Sequence, residues 1–133
     1  MVRLAVSDDA HYAVDDTEIN RKGLSYTVDT LEHLAGRHKG ANLFLLMGED
    51  ALAGFSKWRD PERIRELATL AVMSRSDTHG PHSSSPKDVV SVSTRRVDVS
   101  STEIRQRLKL GKSIKGFVPE GVERFIEARG LYR

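Results

Sequence analysis

The chain has 133 residues and no cysteine, with 38% hydrophobic residues, 30% charged residues and a net charge of +2. These values suit one globular domain and exclude a disulfide framework, a thiolate zinc site and a cysteine nucleophile. No apolar run approaches the roughly 20 residues that cross a bilayer, and the basic residues form no dense stripe, so neither a membrane nor a nucleic acid is the expected partner. We expect anionic small molecules as ligands and a cytoplasmic location.

The first part of the chain is predicted to contain helices and short strands. Residues 1–8 have an apolar helical pattern, and residues 12–19 favour a short strand. Ser25 is predicted to cap a helix over 26–37, because apolar residues recur there at spacings of three and four. The apolar run at 42–47 is typical of a parallel strand that is buried on both faces.

The remainder of the chain continues the alternation of helices and strands. The predicted elements are a helix from Pro61, a strand at 69–73, a strand at 89–99, a helix capped by Ser100 or Ser101, and a last helix from Pro119 to Gly130. The Ser-, Gly-, Pro- and His-rich segment 76–88 is predicted to be a mobile surface loop. This alternation indicates a single α/β domain over 1–133 with a parallel sheet.

The strongest candidate for a binding site is the start of the helix after residue 99. Ser100, Ser101 and Thr102 place hydroxyl groups and unpaired backbone amides at a helix start, which together favour an anion. Arg105 lies one turn further on, where its guanidinium can bind a second phosphate oxygen. The alternative is a simple capping box between Ser100 and Glu103, and a capped helix start can still bind phosphate.

Two further stretches carry candidate binding residues. Gly48 and Asp50 follow the apolar run 42–47, and ligands of open parallel sheets bind beyond the carboxyl ends of the strands. Asp50 is therefore either a ribose ligand or a helix cap. Trp58, the only tryptophan, is flanked by charges and is either a stacking surface for a flat cationic ring or a partly buried packing residue. The five histidines form no pattern typical of a metal site.

Several separated segments carry a family resemblance through their order and spacing. These segments are 23–31, 48–52, Trp58, 72–75, 99–108, 118–119 and 130–132. Together they resemble the nicotinate-nucleotide adenylyltransferases of the bacterial type. The resemblance implies transfer of an adenylyl group from ATP to nicotinate mononucleotide, which forms deamido-NAD and pyrophosphate, usually with Mg²⁺. It also implies a Rossmann-like nucleotidyltransferase sheet, parallel, with helices on both faces.

The resemblance implies two sets of binding residues. Tyr26 and Thr27 would line the nicotinate pocket, Trp58 would stack on the pyridine ring, and the Arg59 backbone would help to hold the carboxylate. The residues implied at the nucleotide or at ATP are Gly48, Asp50, Arg75, Ser100, Ser101, Thr102 and Arg105. The last four would hold the phosphates, in agreement with the argument from the helix start.

The chain resembles only the carboxyl-terminal two-thirds of these enzymes. The family opens with a Gly-Gly-x-Phe-Asp-Pro-x-His-x-Gly-His segment, which binds the triphosphate and supplies the catalytic histidines, and no such segment occurs here. We therefore expect a sheet that is incomplete at its amino-terminal end, no catalytic residue within this chain and little activity from the chain alone. A homo-oligomer, or association with the amino-terminal segment, is expected to cover the gap.

Two alternative functions stay open at the level of the sequence. One is a related enzyme that prefers nicotinamide mononucleotide. The other is a nucleotide-binding or interaction module without catalytic activity. A nucleic-acid role for the basic residues at 105–115 is weaker, because basic helix ends are usually solvated.

Overall fold

The computed structural model describes residues 1–74, 89–94 and 97–133. These residues form seven α-helices and three β-strands: α1 (Val2–Ala5), α2 (Thr17–Asn20), α3 (Thr27–Arg37), β1 (Phe44–Gly48), α4 (Glu49–Ala53), α5 (Pro61–Leu67), β2 (Thr69–Ser74), β3 (Val89–Ser93), α6 (Ser101–Lys109) and α7 (Glu120–Arg129). They fall into two compact units. The sheet unit is Asp16–Arg96, and the helical unit combines Met1–Asp15 with Val97–Arg133. The predicted loop 76–88 and Arg75 lie outside the described residues.

The sheet unit contains three parallel strands in the order β1-β2-β3. Leu45 pairs with Leu70, and Leu70 pairs with Val89. These three apolar side chains therefore lie side by side on the same face of the sheet. Parallel neighbours require a crossover connection, and α4 and α5 lie in the connection between β1 and β2. The predicted α/β fold with a parallel sheet is confirmed, whereas the strand predicted at 89–99 ends at Ser93.

The core of the sheet unit lies on one face of the sheet. Leu45 and Met47 of β1 belong to the same apolar cluster as Val28 of α3 and Ile64 of α5. Side chains alternate between the two faces of a strand, so Phe44 and Leu46 point to the opposite face. The prediction that this strand is buried on both faces is wrong, because β1 is an edge strand and Phe44 and Leu46 are 61% and 57% exposed.

The segment before α3 folds differently from its local sequence pattern. The strand predicted at 12–19 is wrong, because the structure has the helical turn α2 there. The turn is held by contacts with distant residues: the Thr30 hydroxyl donates to Glu18 Oε1 at 2.6 Å. The Ser25 hydroxyl donates to the Glu18 carbonyl oxygen at 3.4 Å instead of capping α3. The cap position of α3 is occupied by Tyr26, so the predicted Ser25 cap is also wrong.

The helical unit is built on the two predicted carboxyl-terminal helices. Ser100 caps α6, Pro119 precedes α7, and Gly130 ends α7 in the left-handed conformation with φ 58°, as the sequence predicts. The core of this unit contains Ile114, Val122 and Ile126. In the part of the chain that the structure describes, every helix is too short or too polar to span a bilayer.

Candidate functional site

The first candidate position is the carboxyl end of β1, where the strand passes directly into α4. Gly48 is the cap residue of α4, and its φ of −85° is one that any residue can adopt. A Cβ added at Gly48 would meet no atom within 4 Å, so the backbone there is open to approach. Asp50 lies in the first turn of α4 and not at its cap, so the interpretation of Asp50 as a helix cap is wrong. Its exposed carboxylate is available at the strand end.

Trp58 and its neighbours form one wall of a cavity of about 280 Å³ in the sheet unit. The opposite wall comes from the segment that leads into α3. The lining residues are Ser25, Tyr26, Thr27, Lys57, Trp58, Arg59 and Ile64. The structure therefore brings together all four residues assigned to the nicotinate nucleotide, although about 30 residues separate the two segments.

The partly buried packing predicted for Trp58 is confirmed, and its role as a stacking surface stays a prediction. The indole packs against the core cluster of the sheet unit, and its ring centroid lies 5.5 Å from that of Phe55 at a tilt of 51°. The side chain is nevertheless only half-buried, and it lines the cavity. Packing against Phe55 thus holds the indole in place while part of its surface stays available for a ligand.

The two walls of the cavity are joined by a cation–π contact. The Arg59 guanidinium carbon lies 4.5 Å from the centroid of the Tyr26 ring. The backbone after Arg59 is held by Asp60, which has the left-handed φ of 49° and accepts a hydrogen bond from the Arg63 amide. Pro61 then begins α5. Sequence reasoning missed both the turn and the contact; the Asp60-Pro61 pair at a helix start was the available signal for the turn.

Two larger cavities, of about 500 and 470 Å³, lie at the end of the sheet where the strands begin. They are lined by residues at the amino ends of the strands, among them Phe44, Thr69 and Val89. Ligands of open parallel sheets bind beyond the carboxyl ends of the strands. The smaller cavity is lined in part by the segment that follows β1 and α4 in the chain. It alone among the three is lined by residues that the sequence singled out, although Gly48 and Asp50 are not among them. We therefore take it as the candidate site.

The phosphate candidates lie in the helical unit at the start of α6. Ser100 Oγ accepts a hydrogen bond from the Glu103 amide at 3.1 Å, which confirms the capping interaction. Arg105 Nη2 lies 3.4 Å from the Thr102 hydroxyl, so its guanidinium is turned back toward the helix start. Ser100, Ser101, Thr102 and Arg105 are all exposed. The amides of the first turn have no partner within a helix, which leaves this end suited to an anion.

Comparison with known proteins identifies the family. Residues 1–107 match the cytidylyltransferase-like family. A probable nicotinate-nucleotide adenylyltransferase of Gemmatimonas aurantiaca is 41% identical over all of this chain, which covers 66% of that protein. A protein of the same description from Thermus thermophilus is also 41% identical, and all of this chain covers 70% of it. The chain thus spans about two-thirds of the length of these relatives.

Solved structures agree with the fold. Nicotinic acid mononucleotide adenylyltransferase of Plasmodium falciparum, complexed with APC, has a TM-score of 0.63 over 84% of this chain and 60% of that one. The same enzyme complexed with NaAD has a TM-score of 0.62 over 84% of this chain and 58% of that one. At 16% identity, these two structures support the fold alone. The family assignment rests on the sequence relatives: the chain belongs to the nicotinate-nucleotide adenylyltransferases, within the cytidylyltransferase-like family.

Proposed function

We propose that the protein transfers the adenylyl group of ATP to nicotinate mononucleotide, in the cytoplasm, and that residues 1–133 belong to one nucleotidyltransferase domain. The observation that carries the proposal is the cavity that joins Tyr26, Thr27, Trp58 and Arg59 in a chain of this family. Trp58 offers a flat surface to a pyridinium ring. Backbone amides of the Tyr26–Thr27 segment and of Arg59 would receive the carboxylate.

The proposed reaction needs no protein nucleophile. A phosphate oxygen of nicotinate mononucleotide attacks the α-phosphorus of ATP, the α–β phosphoanhydride bond breaks, and pyrophosphate leaves with the electron pair. Catalysis of such a step comes from positioning and from stabilisation of charge. Gly48 and Asp50 would hold the nucleotide, with Asp50 on a ribose. The phosphate ligands would be Ser100, Ser101, Thr102 and Arg105, and Arg75 would lie near ATP.

We propose that Mg²⁺ enters the site with ATP. Mg²⁺ is commonly held by substrate phosphates with only one or two protein carboxylates. Over residues 1–74, 89–94 and 97–133, no three histidine or carboxylate side chains cluster in a way that could hold a metal ion. An ion that is bound through the phosphate oxygens of ATP would neutralise charge on the triphosphate.

Trp58 is the only tryptophan, so its fluorescence reports on ligand binding near this residue. The proposal can therefore be tested in two stages. The first stage measures quenching of Trp58 fluorescence by nicotinate mononucleotide, and the second measures pyrophosphate release from ATP. Both use the chain alone and the chain with the family's amino-terminal histidine segment appended. We expect quenching in both forms and substantial turnover only in the longer form. Turnover near the rate of the longer form by the chain alone would contradict the expected need for that segment.

The two alternatives give different results in the same experiment. A preference for nicotinamide mononucleotide would assign the protein to the related activity. Quenching without pyrophosphate release in either form would make it a nucleotide-binding module. If neither nucleotide quenched Trp58 fluorescence, the assignment of the Trp58 cavity to the pyridine ring would be wrong.

Substitution of Ser100 can separate helix capping from phosphate binding. Aspartate caps a helix about as well as serine, whereas alanine costs about 1 kcal/mol. We therefore expect Ser100→Asp to keep the thermal stability of the protein and Ser100→Ala to lower it, as measured by circular dichroism. If phosphate binds at the start of α6, the added carboxylate repels it, and Ser100→Asp weakens ATP binding about tenfold or more.

ATP affinity of the Ser100 variants is measured by calorimetry in the longer form of the protein. Glu103→Gln is the matched control, since it changes a charge in the first turn of α6 without altering the Ser100 cap hydroxyl. Wild-type ATP affinity in Ser100→Asp would show that this helix start serves as a cap only.

We propose that the exposed face of β1 is covered by the family's amino-terminal segment, or by a second copy when that segment is absent. Phe44 and Leu46 expose apolar surface on an edge strand, a combination that favours association. Light scattering of the chain alone is expected to show oligomers, and Leu46→Lys is expected to shift them toward monomer. Ile19→Lys is the control, since Ile19 is 84% exposed but lies outside the sheet. A monodisperse wild-type monomer would contradict the proposal.

A further inference from the structure

The contact between Arg59 and Tyr26 leaves the guanidinium available for a second interaction. Arg59 is exposed, and its guanidinium carbon lies 4.5 Å from the Tyr26 ring centroid. A cation–π contact uses the face of the guanidinium, so the N–H groups at its planar edge can still donate hydrogen bonds. A side chain that already makes this contact before a ligand arrives would lose less conformational entropy on binding.

The cavity around this contact is positively charged. Two of its seven lining residues, Lys57 and Arg59, are cations, and none is a carboxylate. The nearest acidic residues along the chain have other partners. Asp60 accepts a hydrogen bond from the Arg63 amide, and Asp29 lies 3.7 Å from Arg21. The lining therefore favours an anionic group on the ligand.

We propose that the Arg59 side chain determines specificity by selecting a ring-borne carboxylate over a carboxamide. This inference rests on the proposed function, and it extends the role of Arg59 from its backbone to its guanidinium. Hydrogen bonds between a guanidinium and a carboxylate are about twice as strong as those between neutral groups. A carboxamide carries no net charge and presents an N–H₂ group that cannot accept from the guanidinium. The stack on Tyr26 holds the guanidinium at the cavity, where it would bind a carboxylate more strongly than a carboxamide.

The test compares the affinities of one protein for two ligands, nicotinate mononucleotide and nicotinamide mononucleotide, by quenching of Trp58. The ratio of the two dissociation constants is unaffected by a partial loss of folded protein, because both ligands meet the same sample. Arg59→Gln is expected to lower the preference for the carboxylate about tenfold, the range of a lost charge-assisted hydrogen bond. Arg59→Lys keeps the charge without the planar fork and is expected to lower it less.

Arg65→Gln is the matched control. Arg65 makes the same kind of contact in the same unit, with its guanidinium carbon 5.1 Å from the Phe55 ring centroid, but it lines the cavities at the amino ends of the strands. Its substitution is expected to leave the preference unchanged. The wild-type preference is also expected to fall as salt is raised, because the group is exposed and its charge is screened.

The outcomes separate this inference from the proposed function. The role of Arg59 would be wrong if Arg59→Gln kept the wild-type preference for the carboxylate. It would also be wrong if the wild type showed no preference while both nucleotides still quenched Trp58. Neither result would contradict the assignment of the cavity to the pyridine ring. Absence of quenching by either nucleotide in the wild type would overturn the pocket itself and the inference with it.

Discussion

Replacement of Ile64 by alanine is expected to lower the free energy of unfolding by about 2–5 kcal/mol, the range for buried Ile→Ala changes. Ile64 has an exposed fraction of 0% and belongs to the cluster that joins the helices to the sheet. Removing three of its carbon atoms takes apolar surface out of the core and leaves a cavity that rigid neighbours fill only partly. Urea unfolding followed by Trp58 fluorescence measures the loss.

Two controls determine whether the loss comes from burial at Ile64. Ile64→Val removes one methyl group and is expected to cost about 0.5–1.5 kcal/mol. Ile19→Ala changes an isoleucine that is 84% exposed, and a surface change of this kind is expected to stay within about 0.5 kcal/mol. A cost for Ile64→Ala no larger than that of Ile64→Val would mean that the core closes around the missing atoms. Because Ile64 also lines the candidate cavity, its loss is expected to weaken ligand binding as well.

Replacement of Trp58 by alanine is expected to weaken binding of nicotinate mononucleotide about 5- to 150-fold. Stacking of a base on an aromatic side chain is worth about 1–3 kcal/mol by alanine substitution, and about 1.4 kcal/mol corresponds to a factor of ten. The pyridinium ring carries a positive charge, which an indole face attracts further. Calorimetry measures the affinity, since this variant has lost its only tryptophan.

Trp58→Phe separates stacking from packing. Trp58 lies 5.5 Å from Phe55 between ring centroids, so its loss also disturbs the core cluster. Phenylalanine retains an aromatic face and is expected to restore most of the affinity lost in Trp58→Ala. Urea unfolding of both variants identifies any loss that comes from stability instead. Equal loss of affinity in both variants, with stability retained, would contradict stacking on the pyridine ring.

Local chemistry in the sequence determined where several helices begin and end. The start of α5 at Pro61, the Ser100 cap of α6 and the end of α7 at Gly130 follow the prediction. Proline restricts φ, a hydroxyl binds a backbone amide three residues on, and glycine adopts φ > 0 without strain. Each of these effects acts within a few residues of the chain. The apolar run at 69–73 likewise predicted β2, which the structure has at Thr69–Ser74, because the length and composition of the run suit a parallel strand.

The order of separated motifs also indicated the family, which the relatives confirm. Motif order is a property of the chain and needs no knowledge of contacts. It singled out Tyr26, Thr27, Trp58 and Arg59, but nothing in the sequence says that the Arg59 guanidinium packs on the Tyr26 ring. That contact joins segments that are far apart in the chain, so only the folded sheet unit could reveal it.

Tertiary structure alone decided the conformation around residue 18 and the exposure of β1. Residues 12–19 favour a strand locally, but the hydrogen bond between Glu18 and Thr30 accompanies a helical turn instead. The apolar run of β1 suggests burial on both faces, yet its position at the sheet edge leaves Phe44 and Leu46 exposed. The hydrophobicity of a side chain indicates how much free energy its burial would contribute. Whether burial occurs depends on which element lies against each face, and that is set by the packing of residues distant in the chain.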